Sequence, residues 1–216
     1  MLRLLLFLVL LPLPGRACET ALLLAIDVSG SIDAGEYALQ VRGLADALAD
    51  PDIADLLVQG QAALAVVHWS GVGAQALVQP WQRMLGRGDV ARFAAAARAT
   101  PRRFDASDTA VGQAISFSAA QFAAVPDCRR RVIDISGDGP ENAGYTIGQA
   151  RQSAQAQGIE INAVAIEDIG PSAPVTSFFR RWAITPGGFV LTARGLGDYP
   201  RAIRAKLLRE LTKPGS

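Results

Sequence analysis

The feature that most constrains this chain is an alternation: short apolar runs of strand length keep giving way to stretches with helical spacing. Ala21 to Ile26 is a continuous apolar run, as expected of a strand covered on both faces. Asp33 to Ala49 then places Tyr37, Val41, Leu44 and Leu48 on one helical face, and Asp50-Pro51-Asp52 is expected to stop that helix. Ala62 to Trp69 reads as a second buried strand, and Ala76 to Trp81 as a short third one, hairpinned to it through Gly71 and Gly73. Further helices are expected over Asp89 to Arg98, Ala110 to Ala124, Tyr145 to Gln157 and Val175 to Ala183. Strands are expected over Arg131 to Ser136, Ile159 to Ile166 and Gly188 to Thr192. Asp198 is read as the cap of a closing helix, whose Tyr199, Ile203, Leu207 and Leu211 lie four apart. This order predicts an α/β sandwich, with a mostly parallel sheet, one short antiparallel edge strand and helices on both faces.

Residues 1–17 are a separate object. Arg3, the apolar stretch Leu4 to Leu13 and the small residues Gly15 and Ala17 read as a secretory signal peptide cleaved after Ala17, leaving one domain over residues 18–216. The apolar stretch falls short of the roughly 20 residues that span a bilayer, and no other segment comes close. A lipid anchor on Cys18 is the rival reading, disfavoured by Gly15 and Arg16 where an aliphatic residue is wanted. The expectation is a secreted or periplasmic protein with no transmembrane segment in the mature chain. The formal charge of the full chain is +1, and losing Arg3 and Arg16 moves it to −1, which makes no electrostatic case for nucleic acid or an anionic membrane. Arg102-Arg103 and Arg129-Arg130-Arg131 are accordingly expected to be solvated ends of elements. Two cysteines, Cys18 and Cys128, in an oxidising compartment favour one disulfide.

Ligands of open α/β sheets gather at the carboxyl ends of the strands. Just past the first strand the chain reads AIDVSGSID, with Asp27, Ser29 and Ser31 at alternate positions. Two other segments reach the same edge: Asp108-Thr109, and Asp138 within Ser136-Gly137-Asp138-Gly139. Together they offer two carboxylates and three hydroxyls, an all-oxygen set that suits a hard cation such as magnesium. Neutral hydroxyls leave much of the ion's charge uncompensated, so an open position calls for a carboxylate from outside. Taken alone, Asp-x-Ser-x-Ser is equally a helix cap, with Ser31 or Asp33 as the capping residue.

Catalytic patterns fit less well. His68 is the sole histidine and sits inside a strand, where packing is its expected role, and Gly-x-Ser-x-Gly is missing. Gly30-Ser31-Ile32 lacks the lysine of a phosphate-binding loop. A phosphatase using Asp27 as nucleophile needs a cation beside the phosphate, yet Lys206 and Lys213 fall in the closing helix and tail. Asp105 and Asp108 are read as loop and cap residues.

Asp27-x-Ser29-x-Ser31 after the first strand, Thr109 opening a helix and Asp138-Gly139 closing a later strand resemble the von Willebrand factor type A domain, in which this trio forms a metal-ion-dependent adhesion site. The stretches LAIDVSGSIDAGEYALQ, VVHWSG, RVIDISGDGPENAG, GIEINAVAI and AIRAKLLREL are similar to a family of bacterial exported proteins, of unknown function, that consist of this domain alone. The resemblance implies a Rossmann-like three-layer sandwich. It implies that Ser29, Ser31 and Thr109 bind Mg2+ directly, with Mn2+ or Ca2+ able to replace it, and that Asp27 and Asp138 bind directly or through water. It also implies a protein partner offering an Asp or Glu carboxylate, in adhesion-type binding and not catalysis. In the family's sheet the strands carrying Asp27 and Asp138 are neighbours, which places Cys18 and Cys128 together at the opposite rim. Two other readings stay open: a metal-dependent hydrolase or phosphatase, and a structural scaffold subunit whose metal site has no function.

Overall fold

The structure is a computed structural model that describes residues 18–105, 108–168, 170–171 and 173–213. The expected signal peptide at residues 1–17 lies outside the described residues. In chain order the elements are β1 (Thr20–Asp27), α1 (Ala34–Ala49), α2 (Pro51–Gln59), β2 (Ala63–Trp69), β3 (Gln75–Arg83), α3 (Arg87–Ala99) and α4 (Val111–Gln121). Then come β4 (Arg130–Gly137), α5 (Ile147–Ala156), β5 (Ile159–Glu167), α6 (Pro174–Trp182), β6 (Val190–Arg194) and α7 (Tyr199–Thr212). The six strands form one sheet in the order β3-β2-β1-β4-β5-β6, parallel except for β3. Strand order reverses between β1 and β4, so the crevice of this fold opens where Asp27 and Asp138 leave their strands.

Both faces of the sheet are buried, as the apolar runs require. Leu22, Leu24, Ile26, Leu64, Val66 and Val132 pack against α1, α2, α3 and α7. Leu23, Ala25, Val67, Ile133, Ile135 and Ile161 pack against α4, α5 and α6. Burial of a full Leu or Ile side chain is worth about 1.5–3 kcal/mol, and a strand slipped by one residue would turn every such side chain to the wrong layer. The Cys18–Cys128 disulfide ties the start of β1 to the segment entering β4, where Arg129 N donates to Cys18 O.

Several expectations change. The antiparallel edge strand is not short: β3 runs for nine residues, and two shifts of register against β2 carry the pairing past Pro80. Asp50-Pro51-Asp52 ends α1 but also starts α2, because Asp50 accepts from Asp52 N and Ile53 N while Pro51 occupies the first helical turn. Asp198 stands before α7 but makes no cap bond; its carboxylate accepts from Arg194 N and Arg201. Arg130 is buried, not solvated, and donates to Thr20 Oγ1 and to Glu210 O.

His68 packs as expected, 1% exposed and edge-on to Tyr37. Tyr37 Oη donates to Thr100 O at 2.7 Å and lies 3.4 Å from His68 Nε2, while Nδ1 is buried without a partner. Burial pushes the imidazole down to about 4. The unfolded chain therefore binds the extra proton first, and stability should fall as pH drops from the ordinary value near 6.5 towards 4, levelling off below that. The loss is of order 3 kcal/mol. Urea unfolding across this window should show a shallower acid decline for His68→Phe; equal slopes in the two proteins would dismiss the histidine as the cause.

Candidate metal centre

β1 ends at Asp27, and its register sets Ile26 beside both His68 and Ser136. Val28 N donates to Trp69 O, so the chain leaves the sheet still tied to β2 before it turns. Asp27 Oδ1 accepts from Ser29 N at 2.8 Å, which folds the loop back over the strand end. Ser29 Oγ and Ser31 Oγ lie 3.2 Å apart, and Ser31 Oγ donates to Asp138 Oδ1 at 2.9 Å. Ser31 is thus turned towards the neighbouring strand, and the capping of α1 falls to Asp33 and Glu36, which accept from each other's backbone N–H at 2.8 Å. Of the two capping candidates, Ser31 and Asp33, it is Asp33 that caps.

Thr109 is buried and held from two sides. Its N–H donates to Asn142 Oδ1 at 2.8 Å, its carbonyl accepts from Asn142 N and Ala143 N, and the next residue, Ala110, donates to Ser70 O. The threonine is thereby clamped between the end of β2 and the loop that follows Asp138. Asp108 is exposed and its carbonyl accepts from Ser70 Oγ; Asp105 is also exposed. Both are loop residues.

Three supports of this edge are not evident from the sequence. Arg102 is half-buried and donates to Val28 O and Ser29 O, bracing the Asp-x-Ser-x-Ser loop where a solvated end is expected. Glu141 accepts from Gly112 N at 2.8 Å and from Ile147 N at 3.3 Å, so one carboxylate serves the starts of both α4 and α5. A Cβ on Gly112 would lie 2.4 Å from Ile147 N, so only glycine lets these helix starts meet. Gly137 is the third: a Cβ there would come 3.1 Å from Asp27 Oδ2 and 3.4 Å from Trp69.

The electrostatics of this edge are those of two crowded acids, one buried and one half-buried. Asp27 is fully buried, and burial together with the nearby Asp138 pushes its carboxyl up to about 7. Asp138 is also raised, chiefly by burial and further by Glu36 and Asp168, against the lowering effect of the Ser31 hydroxyl. Hydrogen bonds from Ser29 and from the Asp138 backbone pull the Asp27 carboxyl the other way, yet Oδ2 itself is buried with no well-aligned donor. A buried carboxylate oxygen left so costs several kcal/mol in an apolar site, roughly 2–7 for a polar group without compensation. A hard divalent ion seated among Asp27, Ser29, Ser31 and Asp138 would satisfy it, so the residues present fit the ion. Among the described residues no three His, Cys, Asp or Glu side chains form a metal cluster, so hydroxyls must complete any such set.

The family described as "Protein of unknown function (DUF1194)" matches residues 17–215. No curated protein matches the chain. Among solved structures, proximal thread matrix protein 1 from the mussel byssus, with a zinc-occupied MIDAS motif, aligns over 90% of this chain and 48% of its own, at 17% identity and a TM-score of 0.68. A von Willebrand factor type A structure from Catenulispora acidiphila aligns over 91% of this chain and 43% of its own, at 19% identity and a TM-score of 0.66. The pilus adhesin SpaC from Lactobacillus rhamnosus GG aligns over 89% and 30%, at 12% identity and a TM-score of 0.61. The chain spans less than half the length of each of these proteins. At such identities the likeness is one of fold, and that fold is the von Willebrand factor type A fold.

Proposed function

The chain belongs to the DUF1194 family and has the von Willebrand factor type A fold, and from that premise we propose that it is an exported adhesion-type module presenting one divalent cation to a carboxylate on a protein partner. The observation that carries this reading is Asp27, whose Oδ1 holds Ser29 N at the head of the Ser29–Ser31–Asp138 chain of oxygens and whose Oδ2 is buried with no well-aligned donor. Asp27, Ser29, Ser31, Thr109 and Asp138 would hold the ion, with magnesium the favoured species and manganese or calcium as substitutes. Bound there, the ion supplies a Lewis-acidic position for an outside oxygen. Asp27 and Asp138 provide the charge, and the serines and threonine leave it partly uncompensated. Arg102, Asn142 and Glu141 hold the three loops in place. The mature unit in this reading is residues 18–216, secreted or periplasmic once residues 1–17 are removed.

Nothing in the geometry favours the hydrolase reading. Lys206 is buried in the core, and Lys213 is engaged by Glu160 and Gly187 O. Arg102, which reaches the loop, already donates to two backbone carbonyls.

Calorimetric titration with magnesium and manganese tests the proposal. One cation per chain is expected, with affinity reduced by roughly 100-fold or more in Asp27→Ala and Thr109→Ala, at or beyond the loss seen when groups that merely orient metal ligands are removed. Silence of the parent protein at millimolar metal, even with acetate added to supply the outside carboxylate, would sink the reading.

A further inference from the structure

Among the described residues, four large apolar or aromatic side chains are exposed: Val72, Leu85, Tyr145 and Trp182. Two of them, Val72 at 59% and Tyr145 at 78% exposure, share the rim that carries Thr109. Val72 tops the β2–β3 turn, where Gly73 adopts a φ of +74° and donates its N–H to Gln113 Oε1 at 3.0 Å. The same glutamine side chain borders Gly144, and a Cβ built on Gly144 would lie 3.5 Å from Val72 Cγ2. Tyr145 follows directly, three residues after Asn142, whose amide clamps Thr109. Val72 and the Gly144-Tyr145 turn therefore meet through Gln113, on the rim that also carries Thr109.

Tyr145 is held at a φ of +49°, after Gly144 at +79°. The left-handed region costs free energy for any residue with a Cβ, and glycine or asparagine is the ordinary occupant. A residue whose ring packed into the core could recover that cost through burial; this ring is turned to solvent. Backbone strain not offset by packing is a feature of recognition sites, where it presents a side chain in advance of its ligand.

Resting on the metal reading above, we propose that Val72 and Tyr145 are specificity residues: they form an apolar seat for the side chain adjacent to the partner's metal-binding carboxylate. The occupant is a protein segment in which Asp or Glu is next to a large aliphatic or aromatic residue. Charge complementarity places the acid on the cation, and the rim shared with Thr109 makes the exposed Val72 and Tyr145 the apolar groups on offer to its neighbour. Rigid amphipathic aromatics beside a strong polar anchor are the usual makeup of a binding hot spot.

The probe is a random peptide library displayed on phage, selected on the magnesium-loaded full protein and eluted with a chelator. Enrichment of peptides with an apolar or aromatic residue beside Asp or Glu is expected. Resynthesised, these should bind roughly fivefold or more weakly to Tyr145→Asn, which suits the same backbone, and to Val72→Thr, which keeps the shape. Magnesium affinity of both variants, measured by calorimetry, should match the parent. Acidic peptides with no preference for an apolar neighbour, equal binding by the variants, or no metal-dependent enrichment on a protein that calorimetry shows to be loaded would each overturn the proposal. A parent that binds no metal would instead remove the reading beneath it.

Discussion

Lys206→Met is expected to lower the unfolding free energy by about 3–5 kcal/mol near neutral pH, the cost of stranding a buried charge by deleting its partner. Lys206 Nζ lies 2.5 Å from Asp134 Oδ1 and 2.6 Å from Glu210 Oε1, and none of the three side chains is more than 2% exposed. Burial and the mutual repulsion of the carboxylates already push Glu210 up to about 7, against the pull of Lys206, and burial raises Asp134. Without the ammonium both acids rise further above their unfolded values. A carboxyl raised in the folded state contributes stability that is complete below its unfolded pKa and lost as pH climbs through the folded one. The deficit of Lys206→Met should therefore be small under acid conditions and grow through neutral pH. Replacing all three together, Lys206→Met with Asp134→Leu and Glu210→Met, should recover most of it, since an apolar trio leaves no charge to solvate. Denaturant melts of the single and triple variants at several pH values decide the matter. A single variant within about 1 kcal/mol of the parent at every pH would show that the ammonium is dispensable.

The second large effect belongs to the disulfide. Cys18 and Cys128 are 110 residues apart in sequence, so the bond closes a loop spanning about half of the chain. In the chain-entropy account, Cys18→Ala with Cys128→Ala should lose about 4–5 kcal/mol. The two strands it joins keep their own register, Thr20 opposite Arg130, and Arg130 N still donates to Glu19 O. The variant should thus fold to the same structure with a lower denaturant midpoint, and reductant should lower the parent's midpoint to match. No shift with reductant would mean that the bond contributes nothing to the folded balance.

The chemistry of the candidate site was legible because it is local in sequence. Asp27, Ser29 and Ser31 lie within five residues, and the apolar run before them announces a strand end. Asp138 and Thr109 could be attached to that edge because each borders an element whose direction follows from the alternation. The supports were hidden because their partners are remote. Asn142 meets Thr109 across 33 residues, Glu141 meets Gly112 across 29, and Arg102 reaches back 74 residues to Val28. Nothing in the stretch Pro101-Arg102-Arg103 distinguishes a brace from a solvated pair. The helix α2 was missed for another reason: Asp-Pro-Asp is a stop signal for one helix and a start signal for the next, and only packing of Ile53, Ala54 and Leu57 decides that a next helix exists.

By itself, the sequence determined the strand order and every helix but α2, the parallel sheet with β3 reversed, and the oxygen-bearing residues at the carboxyl edge. These follow from period, punctuation and residue type, which act over a few positions. Only the tertiary structure decided which groups share a volume. Lys206 and Glu210, an ordinary surface pair by spacing, became a buried triad because β4 carries Asp134 on the face that α7 covers. Tyr145 became an exposed, strained residue on the rim of the candidate site because Glu141 and Asn142 fix the turn that precedes it. Burial sets the cost of a charge and the meaning of an exposed ring, and burial exists only once distant segments have met.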